Sequence, residues 1–178
     1  MDVERFKYPI GRYQYPETIT PEILESWIDQ IASFPDKLRS ETLTLTSDQL
    51  DTPYRPEGWT VRQLIHHCAD SHLNSFIRFK WTLTEDCPVI KVYFQDKWAE
   101  LPDASGAPIE PSLDLLHGLH GRWVTLLKSL SDTDLEREFI HPETQRSISL
   151  KWNIGLYAWH GRHHLAHITG LKQCNGWK

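Results

Sequence analysis

The chain has 178 residues, 39% of them hydrophobic and 24% charged, a composition that supports one globular domain, 1–178, with a sizeable buried core. Nineteen basic against 24 acidic side chains leave a net charge of −5, which argues against a general nucleic-acid binder, because neutralising phosphates takes a basic surface. There is no run of about 18 apolar residues, no secretory pattern at the start and no CxxC among Cys68, Cys87 and Cys174, so a cytoplasmic protein without a membrane partner is expected.

Residues 1–19, with Tyr8-Pro9 and Tyr15-Pro16, read as an extended arm packed on the body. Thr20-Pro21 starts a first helix, since proline costs nothing where an amide would be unpaired anyway. Leu24, Trp27, Ile28, Ile31 and Leu38 carry it at helical spacing to about Leu45, and Pro35 is expected to kink it. After a turn-rich stretch, Thr60 and Gln63 form a capping box for a second helix that ends before Asp86. Residues 86–110 are a long connection with a short helix near Gln95–Leu101, and a third helix follows Pro111. Two β-prone runs around PETQ, within Glu138–Leu150, suggest a hairpin. The fourth helix covers about Trp152 to Gln173 and stops at Asn175-Gly176. The expected fold is all-α: a four-helix bundle with a long crossover and a small hairpin before the last helix.

Eight tryptophans suit a core and an interface, but the ten histidines are the more telling count because they cluster. His66, His67 and His72 lie in the second helix; His160, His163, His164 and His167 lie in the fourth. On a wheel of about 100° per residue, the second group falls within roughly a 100° arc, His164 nearest the apolar face and His163 most toward solvent. A His-x-x-x-His pair can chelate one divalent ion, although spacing alone does not separate this from two partly buried, hydrogen-bonded histidines. Gly161 follows His160, so the glutamate base of HExxH proteases is absent. For a third ligand from the second helix, periodicity nominates His72 as readily as His67.

The string GWTVRQLIHHCADSH, with WHGRHHLAHI about ninety residues later, resembles the DinB/YfiT-like family of metal-dependent hydrolases. YPIG, LDTPYRPEGWTVRQ, SFIRFKWTLTE and LHGRW are similar to its YfiT branch, so the likeness spans nearly the whole chain. The resemblance implies a four-helix bundle and one divalent ion, zinc or alternatively nickel, on three histidines: His67 in HCAD, and the pair His160 and His164. Cys68 stands where the family usually has an aliphatic residue and reads as a small hydrophobe, with a competing thiolate ligand as the alternative.

Three imidazoles leave an open coordination position, and such an ion can acidify water or polarise a carbonyl. The leading expectation is therefore hydrolysis of a small-molecule substrate. The runner-up, taken from the wider superfamily, is a thiol S-transferase using a bacillithiol-type low-molecular-weight thiol; the third is a metal-stabilised binding protein. Asp70 and His167 are candidate catalytic residues, as general base and as proton shuttle, each weighed against a solvated surface role. His120 and Arg122 could bind an anionic group or serve packing. Tyr157 reads as core. The family and the aromatic content suggest a homodimer.

Overall fold

The structure is a computed structural model that describes residues 3–177, so the first two residues of the expected arm lie outside it. In chain order its elements are α1 (Val3–Lys7), α2 (Pro21–Thr42), α3 (Ser47–Leu50), α4 (Val61–Thr84), α5 (Gln95–Ala99), α6 (Pro102–Ser105), α7 (Glu110–Lys128), α8 (Asp132–Leu135), β1 (Glu138–His141), β2 (Arg146–Ser149) and α9 (Leu150–Asn175).

The four long helices are those expected, and their ends have local causes. Thr20 caps α2, its hydroxyl accepting from the Ile23 amide at 3.4 Å. Thr60 and Gln63 complete a reciprocal capping box on α4. Ser149 caps α9, which starts two residues earlier than Trp152 because the hairpin feeds directly into it. Gly176 closes α9 at φ 64°, where a side chain would be strained. Two local expectations are corrected. The arm opens with the short helix α1 instead of being extended throughout, and α2 runs unbroken through Pro35 but ends at Thr42; the short crossover helix stands as expected in α5, and a further turn, α6, follows it from Pro102. The hairpin is antiparallel, with Glu138 opposite Ser149 and His141 opposite Arg146.

α2 packs against α7 and α9, and α4 packs against the same two helices. The long helices therefore run around the bundle in the order α2, α7, α4, α9, which puts the sequence-adjacent α2 and α4 diagonal to each other. One apolar cluster gathers Trp27, Phe79, Trp123 and Ile154; a second gathers Leu38, Leu64, Leu116 and Ile168. Along each long helix the switch between clusters falls near the buried histidines, which form a polar layer across the core.

The arm crosses α9 outside this layer. Trp159 donates its indole N–H to the Gly11 carbonyl at 3.1 Å, and the Tyr13 hydroxyl donates to the Trp152 carbonyl at 3.3 Å. Among the described residues no helix is long and apolar enough to cross a membrane.

Candidate metal centre

α4 and α9 are neighbours, and between them one ring nitrogen from each of His67, His160 and His164 lies within 4.8 Å of the others. The Nε2 atoms of His160 and His164 are 3.2 Å apart. Two ligands at about 2.0–2.1 Å on a tetrahedral ion stand about 3.3–3.4 Å from each other, so this spacing suits a shared ion with little adjustment. Burial lowers the pKa of His67 to about 4 and pushes those of His160 and His164 well below the usual imidazole value. Neutral imidazoles with free lone pairs are the form a divalent ion requires. The donor set fits the group that the sequence implies.

A wheel could not choose between His67 and His72; the tertiary structure separates them. His67 faces α9, its ring 5.0 Å from that of His164, under the Trp59 ring at 4.6 Å. His72 sits one layer deeper, with Nε2 3.1 Å from His160 Nδ1 and Nδ1 2.8 Å from His120 Nε2. His66, on the other border of α4, turns away to Ser112, 2.8 Å from its hydroxyl. Cys68 is fully buried in the second apolar cluster, where desolvation pushes its thiol pKa up, and it behaves as the small hydrophobe expected.

Of the two candidate catalytic residues, His167 reaches only His164, with a ring nitrogen within 4.8 Å of it, and Asp70 is not grouped with the three histidines. No hydrogen bond joins the Asp70 carboxylate to His67 among the described residues; its charge is felt instead by Tyr93 of the crossover, and Asp103 acts on it in turn. Burial, with Asp103 adding to it, raises the Asp70 pKa to about 6. His167 pairs with His163 at 3.2 Å between Nε2 atoms, and the Tyr54 ring lies 4.1 Å from it.

His163 corrects the wheel: expected most toward solvent, it is only 8% exposed. Trp159 stacks on it at 4.5 Å, and Tyr8 of the arm covers it at 5.9 Å. Helix periodicity registers neither a stacked neighbour one turn away nor the part of the cover that the arm supplies. His163, His164 and His167 form a second close set, but all three come from α9 and they share His164 with the first.

His120 is wholly internal, while Arg122 lies on the outer surface of α7 over the Phe76 ring at 5.4 Å. Tyr157 is core, as expected, its hydroxyl donating to the Ser71 carbonyl at 3.1 Å, yet its edge reaches a cavity. That cavity, of about 540 Å³, runs from His160 and Tyr157 past Tyr93 of the crossover to Arg78 and His141. A second opening of about 330 Å³ reaches His67, His160 and His164 from the side of Trp59 and Trp159. The Nε of Arg78 is buried without a hydrogen-bond partner among the described residues. Nothing in the sequence singled out Arg78 of α4 or His141 of β1, because the cavity they share with His160 is closed by crossover and hairpin segments distant in the chain.

A helical bundle with three uncharged imidazoles converging between two of its helices, open to a cavity on either side, defines the class: a four-helix protein built around a candidate divalent-metal site. Residues 30–168 match the DinB superfamily, and the chain belongs to it. A protein of Bacillus mycoides strain KBAB4 and one of Oceanobacillus iheyensis, both named "Putative metal-dependent hydrolase", are each 54% identical over 96% of this chain and 98% of their own length. The solved structure of YfiT from Bacillus subtilis, described as a probable metal-dependent hydrolase with an unusual four-helix bundle topology, superposes with a TM-score of 0.95. It is 48% identical and is covered over 99% of its length by 98% of this chain.

Proposed function

We propose that this protein is a hydrolase of small molecules that uses one divalent ion, zinc or nickel, held by His67, His160 and His164. The convergence of these three neutral imidazoles from two helices onto an opening of about 330 Å³, with His160 also lining the 540 Å³ cavity, carries the reading. The names of the relatives support the metal-dependent part of it. When bound, the ion supplies Lewis acidity, bringing the pKa of a water toward about 7 and polarising a carbonyl. An all-nitrogen set suits either metal.

The chain's own residues do the rest. Trp59 and Phe34 wall the histidine layer with apolar surface and keep its imidazoles uncharged. The 540 Å³ cavity suits a small substrate and not a protein chain. Its unpartnered Arg78 Nε offers a fixed donor to an anionic or carbonyl oxygen of that substrate.

The test is turnover of ester, amide and lactone panels by zinc- and nickel-loaded protein, with and without an added low-molecular-weight thiol. Hydrolysis without thiol, lost on chelation and in His67→Ala, is expected. Turnover only with thiol would replace hydrolysis by S-transfer, and full activity in metal-free protein would overturn the metal-dependent reading altogether.

A further inference from the structure

A chain of hydrogen bonds crosses the histidine layer and takes one group from each long helix, in their order around the bundle. The Ile31 carbonyl of α2 lies 2.6 Å from His120 Nδ1 of α7. His120 Nε2 lies 2.8 Å from His72 Nδ1 of α4. His72 Nε2 lies 3.1 Å from His160 Nδ1 of α9, and His160 Nε2 faces His164. The chain thus starts on backbone and ends on a side chain that we read as a metal ligand.

Its polarity is fixed at the backbone end, because a carbonyl oxygen only accepts. His120 must carry its proton on Nδ1. Burial lowers the His120 pKa to about 4, so the ring is neutral and its Nε2 is a bare acceptor. His72 must then donate from Nδ1. With its Nδ1 proton given to His120, and 1% exposed between the Phe34 ring, stacked at 5.0 Å, and the edge of Trp123, His72 is a neutral imidazole whose Nε2 accepts. His160 fills that acceptor with its own Nδ1–H, and one neutral imidazole has no second proton to place.

We propose that His72 and His120 are positioning residues that hold His160 in its Nδ1–H form, with the lone pair of Nε2 turned toward His67 and His164. This rests on the reading of His160 as a ligand. A metal-binding histidine is ordinarily oriented by a carboxylate, carbonyl or water at its other nitrogen. Here the orienting carbonyl acts through two intervening imidazoles, which pin the tautomer of a ligand that has no backbone acceptor of its own among the described residues.

The experiment uses the full chain labelled with nitrogen-15 at histidine. Long-range proton–nitrogen spectra of the metal-free protein report which ring nitrogen carries hydrogen, and His72→Gln and His160→Ala assign the signals. The proposal expects Nδ1–H at His120, His72 and His160 alike; Nε2–H at His160 overturns it. Zinc titration supplies the second reading. His72→Leu, which removes the acceptor, is expected to weaken zinc binding 10- to 100-fold, whereas His72→Gln, whose amide oxygen can accept from His160, stays within a few fold of wild type. Equal zinc affinity in His72→Leu and wild type overturns the proposal; if the leucine variant does not fold, the wild-type spectra alone decide. Undiminished zinc binding by His160→Ala would instead remove the ligand reading, leaving the tautomer result to stand or fall by itself.

Discussion

Pro35 leaves open the backbone carbonyl of Ile31, and His120 takes it. In an uninterrupted helix the Ile31 carbonyl would accept from the amide at position 35; proline has no such hydrogen, and the His120 Nδ1–H takes the carbonyl at 2.6 Å instead. The proline that the sequence suggests as a kink is a place where α2 gives an acceptor to its neighbour. It also lies one residue from Phe34, whose ring covers His72 and His120 at 5.0 and 5.8 Å.

His120→Phe keeps an aromatic ring, somewhat larger than imidazole, and removes both nitrogens. It strands the Ile31 carbonyl and the His72 Nδ1–H in a buried layer, at a cost of about 1–3 kcal/mol for each group left unpaired. Urea unfolding of metal-free protein should show that loss; stability equal to wild type would mean that the hydrogen bonds of the layer are replaced.

Gly161 is the next test of this packing. An alanine in mid-helix ordinarily gains up to about 1 kcal/mol over glycine. Here its Cβ would meet Phe34 Cδ2 at 2.9 Å, with the ring buried and stacked on His72. Gly161→Ala is expected to destabilise the fold by about 1–3 kcal/mol, through overpacking. A rise in Tm would contradict the close approach of α2 and α9.

Asp70 gives a pH signature. Its pKa, raised to about 6 in the folded chain against about 4 unfolded, favours the protonated native form, so its contribution is fully present below about pH 4 and is lost as pH rises through 6. The group is half-buried, and solvent screening reduces the effect to about 1 kcal/mol. Asp70→Asn should therefore flatten the stability profile between about pH 4 and 6 and raise stability at pH 7. Because the carboxylate is not brought to the histidines, hydrolysis should change less than about threefold; a loss of about 100-fold or more would restore Asp70 as the general base.

Arg78 bears on substrate choice. Arg78→Met should raise KM roughly tenfold or more for an anionic ester while leaving a neutral one of the same acyl group nearly unchanged, since a charged hydrogen bond is worth about 1.5–3 kcal/mol. Equal effects on both esters would mean that the guanidinium holds the cavity's shape and not the ligand.

Much of this was legible in the sequence where its cause is local. Thr60 with Gln63, the proline after Thr20 and the glycine at 176 mark helix ends by side chains that act within a turn. Apolar spacing gave the four long helices, and the two β-prone runs gave the hairpin. The short helices α3 and α8 passed unnoticed, although each opens with a capping box, Thr46 with Gln49 and Ser131 with Asp134, because four residues carry no periodicity. The site was legible to the level of residue clusters. The face of a helix does not reveal which buried histidine meets which, and His72 finds His160 across 88 positions and His120 finds Ile31 across 89. His163 departs from the wheel because Trp159 of its own helix stacks on it and Tyr8 of the arm adds a cover that no single helix shows.

The central claim is that His67, His160 and His164 together hold one divalent ion. Elemental analysis of untagged protein purified with and without added zinc or nickel, beside His67→Ala, tests it most directly. The account predicts about one ion per chain in wild type and a loss of most of it in the variant, with the helical fold retained. A metal-free wild type despite added zinc and nickel, or a His67→Ala protein that keeps its ion, would contradict it.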